Sequence, residues 1–160
     1  MPDPQGFAFA YREGGLPAAV RHAVPVSAFS KGDPIQFDSN SSLSVMDEID
    51  ATAELAGIAE SSSTESYRDQ VGYVVPTPDS VFWSVATAGS EFTEGWELDI
   101  GWTSVTSIWM TLTSAITPRV VVVRGTGHDD MNQWVTDSGI TFIQVKFLSS
   151  DSLILHAGTE

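Results

Sequence analysis

Short apolar runs that stop at turn residues recur along most of this chain. In the clearest one, Trp96, Leu98, Ile100 and Trp102 fall at a period of two and face one side of an extended segment. We therefore expect Trp96 and Trp102 in the core. Further runs with this period, or short and continuously apolar, lie at residues 35–37, 55–59, 71–75, 81–85, 107–113, 120–123, 141–148 and 153–156.

Strands this short, separated by turn residues, predict an all-β, mainly antiparallel fold, a small sandwich or barrel. The small-residue run at residues 55–59 is typical of a strand buried on both faces. Short helices are an alternative at residues 46–54 and 128–135 alone.

Residues 1–22 differ from the rest because three prolines and three glycines interrupt them. Three aromatic residues are separated from one another by single alanines. This period of two places their side chains on one face of an extended segment. Such a segment can add to the sheet edge of another chain. We therefore predict an extended N-terminal arm at residues 1–22 and a β domain at residues 23–160. The predicted partner-contact residues are Phe7, Phe9, Tyr11 and Leu16. Two alternatives stay open: the segment folds back onto its own domain, or it is disordered.

A chain of 160 residues is long enough for one domain whose core needs no disulfide, and this chain has no cysteine. The net charge of −14 is uneven: residues 33–99 hold fourteen acids against Arg68 alone, whereas residues 1–30 balance. This acidity disfavours nucleic acid as a partner. The longest aliphatic run, at residues 120–123, is too short to span a bilayer, and no signal peptide is expected. The acidic middle can be a solubility device, a solvent-facing side opposite a partner-facing arm, or both together.

Catalytic and metal chemistry have weak signals. His128, Asp129 and Asp130 could bind a divalent metal, but consecutive residues seldom converge on one centre. Serine and histidine residues are present without a G-x-S-x-G turn. Glu97 and Asp99 share one strand face about 7 Å apart, which is typical of a solvated edge. We expect no enzyme activity, no metal and no cofactor.

Five tryptophans in an acidic β domain raise the possibility of carbohydrate binding, because aromatic faces stack on sugar rings. Exposed tryptophans are equally typical of protein–protein contacts, which we favour. The candidate exposed contact aromatics are Trp83, Trp109 and Trp134.

Residues 23–62 carry a family resemblance. A Gly32-Asp33-Pro34 turn leads into an apolar strand, and after a polar excursion the chain continues as Ala56-Gly57-Ile58-Ala59. This pattern resembles the capsid decoration (cement) proteins of tailed bacteriophages, small β-rich subunits that bind the outside of a finished head. In those proteins a G-D-P/A-hydrophobic strand is likewise followed by an "aGia" strand. The resemblance covers roughly the first half of the chain.

The resemblance implies a structural virion protein on the capsid exterior, assembled in the host cytoplasm. It implies binding to the major capsid protein, bridging of neighbouring capsid subunits, and a homo-oligomer, with a trimer favoured over a dimer. The tryptophan-rich block at residues 81–110 departs from the family pattern, which leaves the oligomer interface and a sugar-binding role open. The alternatives are a carbohydrate-binding β-sandwich that attaches to a host surface and, third, a small hydrolase.

Overall fold

The computed structural model describes residues 6–37, 42–45, 55–64, 70–86, 92–104, 107–111, 120–125 and 141–148. Residues 45, 85–86, 99–104, 107–111 and 141 are described by their backbone alone. Regular secondary structure in these residues is entirely β, which confirms the predicted class. The strands are β1 (Phe7–Arg12), β2 (Val20–Ala23), β3 (Pro34–Phe37), β4 (Leu43–Val45), β5 (Gly57–Ala59), β6 (Val71–Val74), β7 (Ser80–Ala86), β8 (Glu97–Ser104), β9 (Ser107–Thr111), β10 (Val120–Arg124) and β11 (Thr141–Phe147). The helical alternatives at residues 46–54 and 128–135 and the strand at 153–156 lie outside the described residues.

The strands form two sheets in a sandwich-like arrangement. The large sheet has six strands in the order β1-β7-β11-β10-β8-β9, and its last strand also meets β7 through one parallel bridge, Ala86 to Met110. The small sheet has five antiparallel strands in the order β2-β6-β5-β3-β4. An isolated bridge from Pro25 to Leu43 brings the chain after β2 back to β4. The predominance of antiparallel pairs is as expected.

Two hydrophobic clusters hold the sheets. The shared core takes side chains from both sheets, including Phe7, Phe82, Ile143 and Val145 of the large sheet and Ile58 and Val74 of the small one. The second core contains Phe29, Ile35, Leu43, Ala56, Ala59, Val71, Tyr73 and Val75. Because neighbouring strand residues point to opposite faces, Val74 and Tyr73 place the two cores on opposite faces of β6. The small sheet is therefore buried on both faces at β5 and β6, as residues 55–59 predicted.

The prediction of an extended N-terminal arm is wrong for the residues that form β1. This strand pairs with β7, with Phe7 opposite Ser84 and Phe9 opposite Phe82. The Phe7 side chain is 3% exposed, and its ring centroid lies 5.1 Å from that of Phe147. The three aromatics at a period of two do form a strand, but the chain supplies its own apolar strand, β7, to receive it. Residues 7–12 are thus an edge strand of the large sheet.

The two segments that carry the family resemblance lie side by side. The Gly32 N–H donates to Ala59 O at 2.9 Å, and the Ala59 N–H donates to Asp33 O at 2.9 Å. Asp33 is buried, and its carboxylate accepts the Ser30 N–H at 2.9 Å, which caps the turn. The turn also receives β1, since the Phe7 N–H donates to Gly32 O at 2.9 Å.

This approach of β1 to the turn requires glycine. Gly6 has φ +73°, and a Cβ there would lie 2.3 Å from Gly32 O. The positive φ or the close approach of Gly32 O would alone strain a side chain at residue 6. Both the backbone conformation and the available space therefore require glycine there. The Gly32 turn is therefore the point where β1, β3 and β5 meet.

Candidate partner-binding surface

The four predicted partner-contact residues have different surroundings. Phe7 is a core residue, so its assignment as a contact residue is wrong. Phe9 is half-buried against the shared core, with its ring edge-on to Phe82 at 5.9 Å, and offers little free surface. Tyr11 and Leu16 are 43% and 55% exposed. Of the four, these two alone are exposed.

Tyr11 near the end of β1 and Leu16 flank the turn at residues 13–15, and polar contacts hold that turn on the large sheet. The Arg12 Nε donates to both Asp79 carboxylate oxygens at 3.1 Å, and Lys146 pairs with Glu13. The Glu13 N–H also donates to Asp79 O at 3.0 Å. The turn is therefore attached to the sheet through both main-chain and side-chain groups.

Asp79 is the charged centre of this attachment. The Thr77 hydroxyl and the Arg12 guanidinium both hydrogen-bond to its carboxylate and hold the pKa of that carboxyl below its ordinary value. Thr77 also contacts the Ser80 hydroxyl and accepts the Ser80 N–H on its main-chain oxygen at 3.0 Å. These bonds make the turn before β7 rigid, and through Arg12 they reach β1.

Two of the tryptophans, Trp83 and Trp96, are placed differently from the prediction. Trp83 is partly buried and packs against the shared core. The side chain of Trp109 and the whole of Trp134 lie outside the described residues. Trp96, which the sequence pattern assigned to the core, is 41% exposed, because β8 begins at Glu97 and Trp96 belongs to the preceding turn. The core position belongs to Leu98 alone among the described side chains of this run.

Sequence reasoning missed a row of exposed side chains after the turn, here called the valine stripe: Val20, His22, Val24 and Val26. These residues alternate along an extended segment and share one face of it. The valines are 40%, 47% and 59% exposed. Pro25 is a usable signal for an extended segment here, because the residue before a proline avoids the helical conformation. Alternation, however, does not show whether anything covers the apolar face.

Main-chain bonds hold the valine stripe in place. The Val75 N–H donates to Ala19 O at 2.8 Å at the start of the segment. At its end, Val24 O accepts the Leu43 N–H at 2.7 Å and the Val26 N–H donates to Leu43 O at 2.8 Å. The segment is thus bonded to β6, the neighbour of β2, and to β4, the last strand of the small sheet. The exposed valines are a fixed feature of the sheet.

The part of the sequence that contains the stripe differs in the sign of its net charge from the rest of the sequence. Residues 6–32 carry three cations and one acid, a net charge of +2, whereas residues 33–160 carry four cations and nineteen acids, a net charge of −15. Arg21 and Lys31 are exposed within the former range. One acid lies close to the stripe: a Cβ on Gly72 would meet Glu60 Oε2 at 2.9 Å and His22 Nε2 at 3.3 Å.

A pocket of about 300 Å³ lies between two loops of the small sheet and is lined by Ala28, Phe29, Ser30, Asp33, Ser62, Ser63 and Thr64. Its polar groups bond to one another and to the nearby backbone. The Ser63 hydroxyl accepts the Phe29 N–H at 3.1 Å, and the Ser62 and Thr64 hydroxyls lie 2.7 Å apart. None of the described lining residues is a histidine that could activate a nearby serine hydroxyl.

Within the described residues no three or more His, Asp or Glu side chains group together as a metal site would need. The His128-Asp129-Asp130 cluster lies outside those residues. The described part of the chain likewise contains no apolar helix of the length that crosses a membrane.

Comparison with known proteins adds no relative: no family model, no curated protein and no solved structure matches this chain.

Proposed function

We propose that this protein is a structural virion subunit that binds the outer surface of a phage capsid and bridges neighbouring copies of the major capsid protein. The observation that carries the proposal is the position of exposed apolar side chains. Of the seven large hydrophobic residues exposed in the described part of the chain, five lie within residues 11–26. Concentrated apolar exposure of this kind is typical of protein–protein interaction sites. The family resemblance of residues 23–62 supplies the kind of partner.

The proposed mechanism is multivalent. A homo-oligomer, with a trimer favoured over a dimer, presents several copies of residues 11–26 at a fixed spacing. When that spacing matches the capsid lattice, each further contact is intramolecular and the overall affinity rises without new kinds of contact. The acidic remainder of the chain then faces solvent on the capsid exterior and keeps the coated particle soluble. Addition to the head takes place in the host cytoplasm.

Co-sedimentation with undecorated heads of the same phage tests the proposal. Wild-type protein should pellet with the heads to a saturating ratio, and Leu16→Ser combined with Val24→Ser should weaken this binding at least tenfold. Trp96→Ser is the matched control, since it also removes an exposed apolar side chain but lies outside residues 11–26. Deletion of residues 2–16 is unsuitable because it removes β1 and Phe7 from the core. Wild-type protein that stays in the supernatant at all concentrations contradicts the proposal.

A carbohydrate-binding function is the second candidate, favoured by the surroundings of Trp96. This exposed ring lies between the exposed acids Glu94 and Glu97 in the chain, and aromatic faces beside carboxylates suit sugar rings and their hydroxyl groups. A glycan array decides between the two: signal that disappears with Trp96→Ala supports sugar binding. An empty array together with binding to heads leaves the capsid function alone.

A further inference from the structure

The contacts that hold β1 on the large sheet are made with residues far from it in the chain. β1 pairs with β7 alone among the described strands, and β7 pairs with β11 on its other side. The Phe7 ring centroid lies 5.1 Å from that of Phe147, and the Phe7 N–H donates to Gly32 O at 2.9 Å. Arg12 pairs with Asp79. A second copy of the chain carries all of these receiving groups and therefore offers β1 the same binding site.

A short, exposed linker joins β1 to β2. Glu13 and Ala19 each make a main-chain hydrogen bond to a distant residue, which leaves residues 14–18 between the two fixed ends. Residues 14–17 are exposed. When extended, these five residues span about 17 Å, which is long enough to carry β1 from its own sheet to that of a molecule in contact.

A turn at residues 12–15 folds this linker, and the turn depends on glycine. The Gly15 N–H donates to Arg12 O at 2.8 Å, and Gly15 has φ +75°, a conformation that other residues adopt only at a cost. Leu16, by contrast, precedes Pro17 and so favours an extended conformation. The linker therefore opens by a change at this turn.

Concentration decides between a closed form and an exchanged form, because the two share the contacts of β1. A short flexible linker holds a segment at an effective concentration on the order of millimolar. Dilute protein therefore keeps its own β1, whereas copies brought to a similar concentration compete for it. Leu16 adds a preference for exchange, since its exposed side chain lies in the linker, and two linkers that pass between the same molecules can cover each other's leucines.

We propose that β1 is exchanged between copies of this chain, so that the β1 strand of one molecule pairs with β7 of a second copy. The exchange is reciprocal in a dimer and cyclic in a trimer, and in either case it links the copies through the contacts that β1 already makes. This inference specifies how the homo-oligomer of the proposed function is linked. That the linked copies lie on a capsid rests on that function, whereas the exchange itself rests on β1 and its linker.

Two single-cysteine variants test the exchange directly, because the chain itself has no cysteine. Ala8 and Trp83 lie opposite each other in the β1–β7 pair, and such residues have Cα atoms about 4.5–5.5 Å apart, within the range of a disulfide. Ala8→Cys and Trp83→Cys chains are mixed, unfolded, refolded together at about 1 mM protein and oxidised with glutathione disulfide. We expect a covalent pair of the two chains on a non-reducing gel.

Two controls accompany this mixture. Thr93→Cys, at an exposed position next to Gly125, takes the place of Trp83→Cys in the first and should give no covalent pair. The second is a single chain that carries both Ala8→Cys and Trp83→Cys. Refolded at about 1 μM, this chain should form the disulfide within itself and remain a monomer, because its own β1 is then the more concentrated partner.

Gly15→Ala and Gly14→Ala provide a second measurement. The first change strains the turn that only the closed form needs, so half-association should occur at an about tenfold lower protein concentration. Gly14 has no positive φ, so Gly14→Ala should leave that concentration unchanged. Sedimentation velocity of the protein without heads measures both.

The results separate the exchange from the proposed function. A covalent pair with Trp83→Cys and none with Thr93→Cys, together with stronger association of Gly15→Ala than of Gly14→Ala, supports the exchange even when undecorated heads are not bound. In that case the capsid function alone fails. A double-cysteine chain that closes on itself, while the mixture gives no covalent pair, overturns the exchange even when heads are bound. Equal association of the two glycine variants, or oligomers without the cross-chain disulfide, also overturns it, because the copies then meet through another surface.

Discussion

Strand β1 and the valine stripe are similar in sequence and opposite in structure. Both place apolar residues at a period of two, and both belong to the weakly charged N-terminal part of the chain. Phe7 of β1 is 3% exposed, whereas Val26 of the stripe is 59% exposed. The same local pattern therefore ends in the core in one case and on the surface in the other.

The difference lies in what each segment is next to. β1 lies along β7, whose Phe82 is fully buried, and the Phe7 ring of β1 packs with Phe147. The stripe lies along β6 at the rim of the small sheet, where Ala19 and Ala23 pack on the second core instead. Alternation determines which residues share a face, and tertiary packing determines which face is covered. An exposed apolar face on a rigid strand is then a candidate for a partner.

The largest expected effect is at Phe7. Phe7→Ala should lower the free energy of unfolding by about 3–5 kcal/mol, because it leaves a cavity in the shared core. Val26→Ala should change it by no more than about 0.5 kcal/mol, as is usual for exposed sites. Urea unfolding followed by tryptophan fluorescence measures both. A Phe7→Ala variant as stable as Val26→Ala would mean that β1 is a detached arm in solution.

A smaller effect is expected at the glycine of the "aGia" strand. A Cβ at Gly57 would lie 2.4 Å from Val74 O and 2.7 Å from the Tyr73 ring. Gly57→Ala should therefore destabilise the protein by about 1–3 kcal/mol, the usual effect of overpacking.

Gly14→Ala is the matched control for that change, since nothing lies within 4 Å of its added Cβ and its φ is not positive. It should leave stability unchanged or raise it slightly by restricting the unfolded chain. Equal stability of the two variants in the same unfolding experiment would contradict the close packing of β5 on β6.

Much of the fold could be predicted from the sequence. Local alternation was sufficient for β6, β7, β8 and β11, and the small residues at 55–59 correctly indicated burial on both faces. The interpretation failed at Phe7 because a segment broken by glycine and proline looks detached, while Ser84, its partner on β7, lies more than seventy residues later in the chain. Long-range pairing of that kind leaves no local signal.

The candidate surface could be predicted only in part. Tyr11 and Leu16 were named from their position and are exposed, but the valine stripe was missed. Trp96 was assigned to the core because it continues the alternation of β8, although the strand begins one residue later. Exposure at a strand end depends on where the sheet stops, and apolar periodicity does not contain that information.

The pH dependence of stability should depend on Asp79, which joins β1 to the turn before β7. Hydrogen bonds from Thr77 and Arg12 lower the pKa of its carboxyl in the folded state. The Asp79 carboxylate therefore adds to the free energy of unfolding in full above the unfolded pKa of about 3.9, and this stabilisation is lost as the pH falls through the folded pKa. Asp79→Asn should be less stable than wild type at pH 7, and the difference should narrow below about pH 4. Chemical unfolding at several pH values measures this.

Arg12→Gln provides the control for the Asp79 contact. It should destabilise the wild-type protein more than it destabilises Asp79→Asn, because the ion pair is already absent from the latter. A difference between wild type and Asp79→Asn that stays constant from pH 7 to pH 2.5 would show that the carboxylate does not stabilise the attachment of β1.

The smallest effect on stability is expected from the isosteric change Val26→Thr in the valine stripe. A hydroxyl at this exposed position remains hydrated, so the free energy of unfolding should change by no more than about 0.5 kcal/mol. The same substitution at Val122, which is 2% exposed in the shared core, should cost about 1–3 kcal/mol because it buries a hydroxyl among apolar side chains. Denaturant unfolding at two protein concentrations measures both. If Val26→Thr costs as much as Val122→Thr, and costs more at the higher concentration, another molecule covers the stripe in solution. Both apolar faces would then be buried, that of β1 during folding and that of the valine stripe on association.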